Sequence, residues 1–287
     1  LEHSSVLANC CELRVPTHSD GTLDVNRFKS RLVSDYYKDI KNAVFSIMSA
    51  NNETGVVLDP SHALKELKEK FGFILHVDAV ASFGKGDCNP ESLGADLMTI
   101  SGHKIHALKG VGALYISERI SNKAKPILLG GGHEYGFRAG TENIIGIYTI
   151  GEMCDKLTDD PTYRQAISDI VLLQDLFEHL LAEVAEVNGN KEFRVSNTSN
   201  LYFKDVTDLD LFLDMLSDVG IYASGMSACQ SGLTMPSRIL GVMYGGESPR
   251  LNGSVRFSLS TFTKESEIRQ AAVKIKEVLE NLKKLES

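Results

Sequence analysis

Residues 73–104, FILHVDAVASFGKGDCNPESLGADLMTISGHK, contain two short apolar runs that each lead into residues able to carry chemistry. The first run, residues 73–77, is followed by Asp78, and the second run, residues 96–100, leads through Ser101 to Lys104. Short apolar runs bounded by glycine, proline and asparagine predict buried strands. Because ligands of open α/β sheets bind at the carboxyl ends of strands, we expect Asp78 and Lys104 at neighbouring strand ends of one sheet.

Other segments of the first half extend this pattern. Apolar runs at residues 43–48 and 112–116 predict two more strands, and residues 60–71 predict a helix that begins at Pro60. Strands that alternate with helices predict an α/β fold with a largely parallel sheet.

The second half predicts a smaller α+β unit. A polar break at residues 158–161 is a plausible seam, so we predict a large domain over residues 1–158 and a small domain over residues 159–287. The small domain's predicted strands lie at residues 200–203 and 255–259, and its predicted helices at residues 167–184, 209–216 and 264–287.

The composition excludes several classes of protein. The 287 residues include 30 Lys and Arg against 38 Asp and Glu, a formal net charge of −8 at pH 7. An acidic chain offers no broad basic field to nucleic acid, and no apolar run reaches the roughly 18 residues of a membrane span. The five cysteines form no Cys-x-x-Cys pair, so we expect no metal site and a reducing, cytoplasmic compartment.

The two strand ends suggest a cofactor site. Lys104 is placed as a Schiff-base nucleophile, although an exposed loop lysine is the general alternative. Asp78 could pair with the ring nitrogen of pyridoxal phosphate, or it could cap a following helix. Ser101 and His103 could hold a phosphate, or they could satisfy backbone groups of a tight loop.

Two residues of the second half could act on a substrate. Cys229 lies among small residues, so its thiol is predicted to be accessible, whereas Cys88 and Cys154 fit packed thiols better. Arg256 is a lone charge within an apolar strand, and it needs either a substrate carboxylate or an internal Asp or Glu as its partner.

Taken together, these motifs resemble the NifS/IscS-type cysteine desulfurases, which are class V, fold-type I pyridoxal-phosphate enzymes. Order and spacing match over essentially the whole chain. The matching motifs are Glu2-His3, Asn51-Asn52-Glu53-Thr54-Gly55, His76-Val77-Asp78-Ala79, Ser101-Gly102-His103-Lys104, Gly131-Gly132-His133-Glu134, Arg138-Ala139-Gly140-Thr141, Ser227-Ala228-Cys229 and Ser254-Val255-Arg256-Phe257-Ser258.

The resemblance implies a fold-type I architecture with bound pyridoxal 5′-phosphate. Lys104 would hold the cofactor covalently, Asp78 would pair with its ring nitrogen, and His3 would stack on the ring. Asn52 would contact the oxygen side of the ring. The implied phosphate ligands are Ser101 and His103, with Thr141 reaching the cofactor of a partner subunit.

The resemblance also implies a reaction and partners. Arg256 would hold the carboxylate of L-cysteine, and Cys229 would accept its sulfur as a persulfide, leaving L-alanine. A homodimer and a sulfur-acceptor protein, such as an iron–sulfur scaffold or a thiolation partner, are implied. A selenocysteine lyase or other class V lyase, and a non-catalytic homologue that binds sulfur-transfer partners, stay open as alternatives.

Three departures from the family pattern bear on the cofactor pocket. Ala81 stands where the family usually has a glutamine that contacts the cofactor. Ala107 and Leu108 stand where the family usually has Gly-Pro, and the family usually begins upstream of Leu1 with further phosphate-binding backbone. A retuned cofactor, an altered activity and a relaxed function are all compatible with these departures.

Overall fold

The computed structural model describes residues 1–10, 14–34, 40–225 and 236–286. These residues contain two four-stranded sheets. The strands are β1 (Val44–Met48), β2 (Ile74–Asp78), β3 (Leu97–Ser101), β4 (Gly112–Ile116), β5 (Glu186–Val187), β6 (Thr198–Tyr202), β7 (Ser224–Gly225) and β8 (Ser254–Ser258). The helices are α1 (Ser4–Leu7), α2 (Val25–Val33), α3 (Ala63–Phe71), α4 (Pro90–Leu93), α5 (Glu118–Ser121), α6 (Ile144–Asp159), α7 (Pro161–Leu181), α8 (Leu209–Asp218), α9 (Arg238–Tyr244), α10 (Arg250–Gly253) and α11 (Glu265–Glu286).

The first sheet is largely parallel, as the sequence predicts. Its order is β1-β2-β3-β4, with β1, β2 and β3 parallel and β4 antiparallel to β3. Met48 pairs in register with Asp78, and Asp78 pairs with Thr99, so the carboxyl ends of three strands meet at one edge. This edge is where ligands bind in open α/β sheets.

Aromatic side chains form the core beneath the first sheet. Phe28 of α2, Phe45 of β1 and Phe73 meet edge to face, with ring centroids 4.9–6.3 Å apart. Such arrangements are favourable beyond the area they bury. These ring contacts hold β1 in place next to the residue that precedes β2.

Helix α3 begins at Ala63, not at Pro60 as the sequence predicts. The carboxylate of Asp59 accepts hydrogen bonds from the backbone N–H groups of Ala63 and Leu64, at 3.0 and 2.8 Å. His62 precedes the first turn with a left-handed φ of 55°. The side-chain cap therefore sets the start of the helix later than the proline does.

The second sheet has the order β5-β6-β8-β7, and all its pairs are antiparallel. Helices α7, α8 and α11 pack on it around a separate apolar core that includes Phe177, Phe212 and Ile275. Arg256 lies in β8 and pairs in register with Asn200 of β6 and Ser224 of β7.

Helices α6 and α7 are separated only by Asp160, so the predicted polar break is much shorter than expected. The Asp160 carboxylate caps α7 by accepting hydrogen bonds from the N–H groups of Thr162 and Tyr163. Within the described ranges, the helices include none that is long and apolar enough to cross a bilayer.

Candidate active site

Asp78 ends β2 as a buried carboxylate. One of its oxygens, Oδ1, accepts a hydrogen bond from the N–H of Val80 at 3.0 Å. The other oxygen has no hydrogen-bond partner among the described residues. Residues 80–85 form turns, so Asp78 does not cap a helix. One oxygen therefore orients the carboxylate and the other is available to a ligand.

His76 lies two residues before Asp78 and thus on the same face of β2. Its Nδ1 is 2.7 Å from the hydroxyl of Ser46 on β1, and its Nε2 is 2.8 Å from the hydroxyl of Thr99 on β3. Burial lowers the pKa of His76, so the ring is neutral at neutral pH. This side chain links three strands next to Asp78, a role that the sequence alone does not predict.

Lys104 follows β3 in a short 3₁₀ turn, Gly102–Ile105. A Cβ at Gly102 would lie 2.9 Å from the side chain of Ile150 on α6, so the turn needs glycine for its close approach to that helix. The side chain of Lys104 is exposed, and no hydrogen bond or ion pair engages its ammonium group within the described part of the chain. An exposed and unengaged amine fits both the predicted reactive lysine and the alternative of an exposed loop lysine, so the reactive role stays a prediction.

A second lysine, Lys85, lies near Lys104. Its Nζ donates a hydrogen bond to the carbonyl oxygen of Ala81 at 3.1 Å. Burial, followed by the charge of Lys104, lowers the pKa of Lys85 to about 8. Both lysines line one cleft with Tyr163 and Thr261, and the Thr261 hydroxyl is buried there without a partner. Nothing in the sequence around Lys85 indicates this position, because the burial of Lys85 depends on tertiary packing.

Ser101 and His103 lie together at the end of β3. The Ser101 hydroxyl is 2.8 Å from Nδ1 of His103. Desolvation and then the charge of Lys104 lower the pKa of His103. The pair presents a hydroxyl and an imidazole at the strand end, and both groups can donate hydrogen bonds to a phosphate.

Arg256 reaches from the second sheet to the first. Its Nη1 donates to the carbonyl oxygen of Asn52 at 3.0 Å, while its Nε is buried without a partner. No carboxylate among the described residues forms an ion pair with it. The alternative of an ion pair with an internal Asp or Glu is therefore not observed among these residues, and a substrate carboxylate as the partner stays a prediction.

The beginning of the described chain also reaches the strand ends. Glu2 accepts a hydrogen bond from the N–H of Met48 at 2.8 Å, and Met48 is the register partner of Asp78. Burial raises the pKa of Glu2 to about 7. His3 follows directly and caps α1 by accepting from the N–H of Ser5 at 3.2 Å. The contact of Glu2 brings His3 towards the same edge of the sheet.

Two expected site residues remain. Thr141 lies on an exposed loop, and no hydrogen bond or ion pair links it to the other candidates that the structure describes. Cys229 lies in residues 226–235, outside the residues that the structure describes.

Known proteins match this chain along nearly its whole length. The family model described as aminotransferase class-V matches residues 2–270. The cysteine desulfurase of Nostoc sp. is 39% identical over 297 residues, which cover 99% of this chain and 71% of that protein. The cysteine desulfurase NifS of Azotobacter vinelandii is 34% identical over 296 residues, with 99% and 70% covered.

Solved structures share the fold. A NifS-like protein from Rickettsia africae has a TM-score of 0.81 at 27% identity, covering 97% of this chain and 74% of that one. Another NifS-like protein has a TM-score of 0.79 at 27% identity, covering 97% and 73%.

The chain therefore belongs to the class-V aminotransferase family. Within that family its homologues are the cysteine desulfurases of the NifS type, which confirms the fold class and the family resemblance drawn from the motifs. The relatives do not favour the alternatives of a selenocysteine lyase or a non-catalytic homologue.

Proposed function

We propose that this protein is a cysteine desulfurase that converts L-cysteine to L-alanine and transfers the sulfur to Cys229. The observation that carries the proposal is the edge of the first sheet, where Asp78 keeps one oxygen without a partner and Lys104 keeps its ammonium group unengaged. An acid and an amine at adjacent strand ends suit a cofactor that bears both a basic ring nitrogen and an aldehyde.

These residues fit pyridoxal 5′-phosphate. Lys104 would hold its aldehyde, the unpartnered oxygen of Asp78 would hold its ring nitrogen, and His3 and Asn52 would contact its ring. The phosphate would bind Ser101 and His103, with Thr141 supplied by a second subunit. When bound, the cofactor supplies an electron sink for negative charge at the Cα of the substrate.

The chain's own residues then supply binding and proton transfer. Arg256 binds the carboxylate of L-cysteine through the guanidinium N–H groups that its hydrogen bond to the Asn52 carbonyl does not use. Lys104 takes the proton from Cα as a general base, and Asp78 keeps a proton at the ring nitrogen. Together, these contacts fix the substrate with its Cα beside Lys104.

The sulfur step follows from the chemistry of the two thiols. The Cys229 thiolate attacks the substrate sulfur, and the bond between that sulfur and Cβ breaks. The electron pair of that bond stays with carbon, which takes up a proton and becomes the methyl group of L-alanine. The sulfur is oxidised to the level of a persulfide on Cys229, so no external oxidant is needed.

A homodimer, a sulfur-acceptor protein such as an iron–sulfur scaffold, and a cytoplasmic location belong to the same proposal. Exposed apolar side chains of α6 support a second copy as the occupant of this face, and they include Ile144, Ile145 and Tyr148. Two sheets with separate cores support the proposed division between residues 1–158 and 159–287.

The test is a turnover assay with cofactor-loaded protein. We expect L-alanine and sulfide to form in equal amounts from L-cysteine in the presence of a thiol reductant. Protein that binds the cofactor but forms neither product would contradict the proposed function.

A further inference from the structure

The turn after β1 joins the two sheets. Within it, the Asn51 side chain accepts hydrogen bonds from the N–H groups of Glu53 and Thr54, at 2.9 and 3.0 Å. The backbone carbonyl groups of the turn then accept three hydrogen bonds from the second half of the chain. The Asn52 carbonyl accepts a hydrogen bond from Arg256 at 3.0 Å. The Glu53 carbonyl accepts one from Nδ2 of Asn200 at 2.9 Å. The Gly55 carbonyl accepts one from the N–H of Val195 at 2.8 Å.

The side chain of Glu53 adds a fourth link. Its Oε2 accepts a hydrogen bond from the Ser237 hydroxyl at 2.6 Å, although 184 residues separate the two. The same hydroxyl accepts from the N–H of Leu240 at 3.0 Å and so caps α9. Ser237 is buried, and burial also raises the pKa of Glu53. Glu53 thus ties the turn to the start of α9.

Neither cation near Glu53 forms an ion pair with it among the described residues. Arg256 and Arg238 act on it only through their charge. Arg256 instead donates to the carbonyl of the preceding residue, Asn52. Whatever fixes the position of that carbonyl also fixes the direction of the guanidinium group, because the hydrogen bond requires near-linear geometry.

We propose that Glu53 is a positioning residue for Arg256: by holding Ser237, it fixes the turn whose Asn52 carbonyl orients the guanidinium group for the substrate carboxylate. The inference rests on the proposed function, because it assumes that Arg256 binds a carboxylate. It adds a residue that would touch neither substrate nor cofactor.

The first test compares two substitutions of Glu53 in cofactor-loaded protein. Glu53→Ala removes the link, and we expect it to raise the KM for L-cysteine and the Kd for L-alanine by about tenfold, with a smaller change in kcat. Glu53→Gln keeps an oxygen that accepts a hydrogen bond from Ser237, so its KM for L-cysteine and Kd for L-alanine should stay at the wild-type values. The Kd is read from the visible absorbance of the cofactor and does not depend on turnover.

A second pair of variants keeps the test decisive if Glu53→Ala fails to fold. Ser199 is buried like Ser237 and donates a 2.6 Å hydrogen bond to a glutamate, Glu178, which lies on α7 and not in the turn after β1. Ser237→Ala should raise the KM and the Kd, whereas Ser199→Ala should lower only the thermal midpoint.

Three results would overturn the inference: folded Glu53→Ala with wild-type constants, equal losses in the Ala and Gln variants, or Ser237→Ala with the same constants as Ser199→Ala. A wild-type protein that binds L-alanine but releases no sulfide would instead count against the proposed function, since the Kd comparison would still hold.

Discussion

Arg256 donates a hydrogen bond from Nη1 to the carbonyl oxygen of Asn52, 3.0 Å away, and thereby connects β8 to the loop after β1. The bond uses one of the five N–H donors of the guanidinium group, and the buried Nε donor has no partner. The bond leaves other guanidinium N–H groups of Arg256 for a carboxylate, which is the acceptor that pairs most strongly with them.

Replacing Arg256 with lysine should weaken the binding of L-cysteine. An ammonium group cannot make the planar, paired contacts of guanidinium, so we expect the KM to rise by about 10- to 100-fold. The visible absorbance of the cofactor should not change. Steady-state kinetics measure the effect, and Arg269→Lys on the exposed face of α11 is the control. A wild-type KM in Arg256→Lys would place the carboxylate elsewhere.

Lys104→Ala should abolish the visible absorbance of the lysine-bound cofactor, because no amine remains at the end of β3 to hold the aldehyde. The protein is dialysed against excess pyridoxal 5′-phosphate, the free cofactor is removed, and the visible absorbance spectrum is then recorded. Lys109→Ala, in the same exposed loop, should keep the full spectrum. If the Lys104→Ala spectrum matched the wild type, the assignment of this lysine would be wrong.

Cys229→Ser should keep the cofactor spectrum but lose sulfide release from L-cysteine, because a hydroxyl cannot accept the sulfur. Cys88→Ser is the matched control. Burial raises the pKa of the Cys88 thiol, which also lies 3.2 Å from the Ser82 hydroxyl, so this cysteine stays protonated and inert. Retained desulfurase activity in Cys229→Ser would exclude Cys229 as the acceptor.

Lys85 should make stability depend on pH. Its pKa is lowered from 10.5 to about 8, so between these values the unfolded chain binds more protons than the folded chain and stability rises with pH. Lys85→Met removes this titration and should stabilise the protein by about 1–3 kcal/mol at neutral pH, with the gain fading as the pH rises through that window.

Chemical denaturation of the wild type and Lys85→Met across the window measures the effect. Lys123→Met, at an exposed position, should show no such pH dependence. If the difference in the free energy of unfolding between Lys85→Met and the wild type stays constant with pH, the pKa of Lys85 is not lowered in the folded protein.

The first sheet could be predicted closely from the sequence. Residues 112–116 were expected as a strand and form β4, and the runs that lead to Asp78 and Lys104 form β2 and β3 within one residue of their expected bounds. These strands are short apolar runs between turn residues, so local pattern and tertiary burial agree. The positions of Asp78 and Ser101 at the ends of β2 and β3 can therefore be predicted from the same pattern.

The contacts that complete the candidate site could not be predicted in the same way. The bond between Glu53 and Ser237 joins two ordinary polar residues far apart in the chain, and nothing local to either residue indicates the other. The burial of Lys85 likewise depends on packing. His76 gave the clearest local signal, as a lone imidazole inside an apolar strand.

The tight packing of Gly102 against Ile150 has a consequence for assembly. The helix that leaves no room for a methyl group beneath the lysine turn also presents Ile144, Ile145 and Tyr148 outward. A second copy bound to the outer side of that helix, as proposed, would therefore lie one helix away from the backbone that carries Lys104. For the proposed homodimer, separating the copies by dilution should therefore lower the activity.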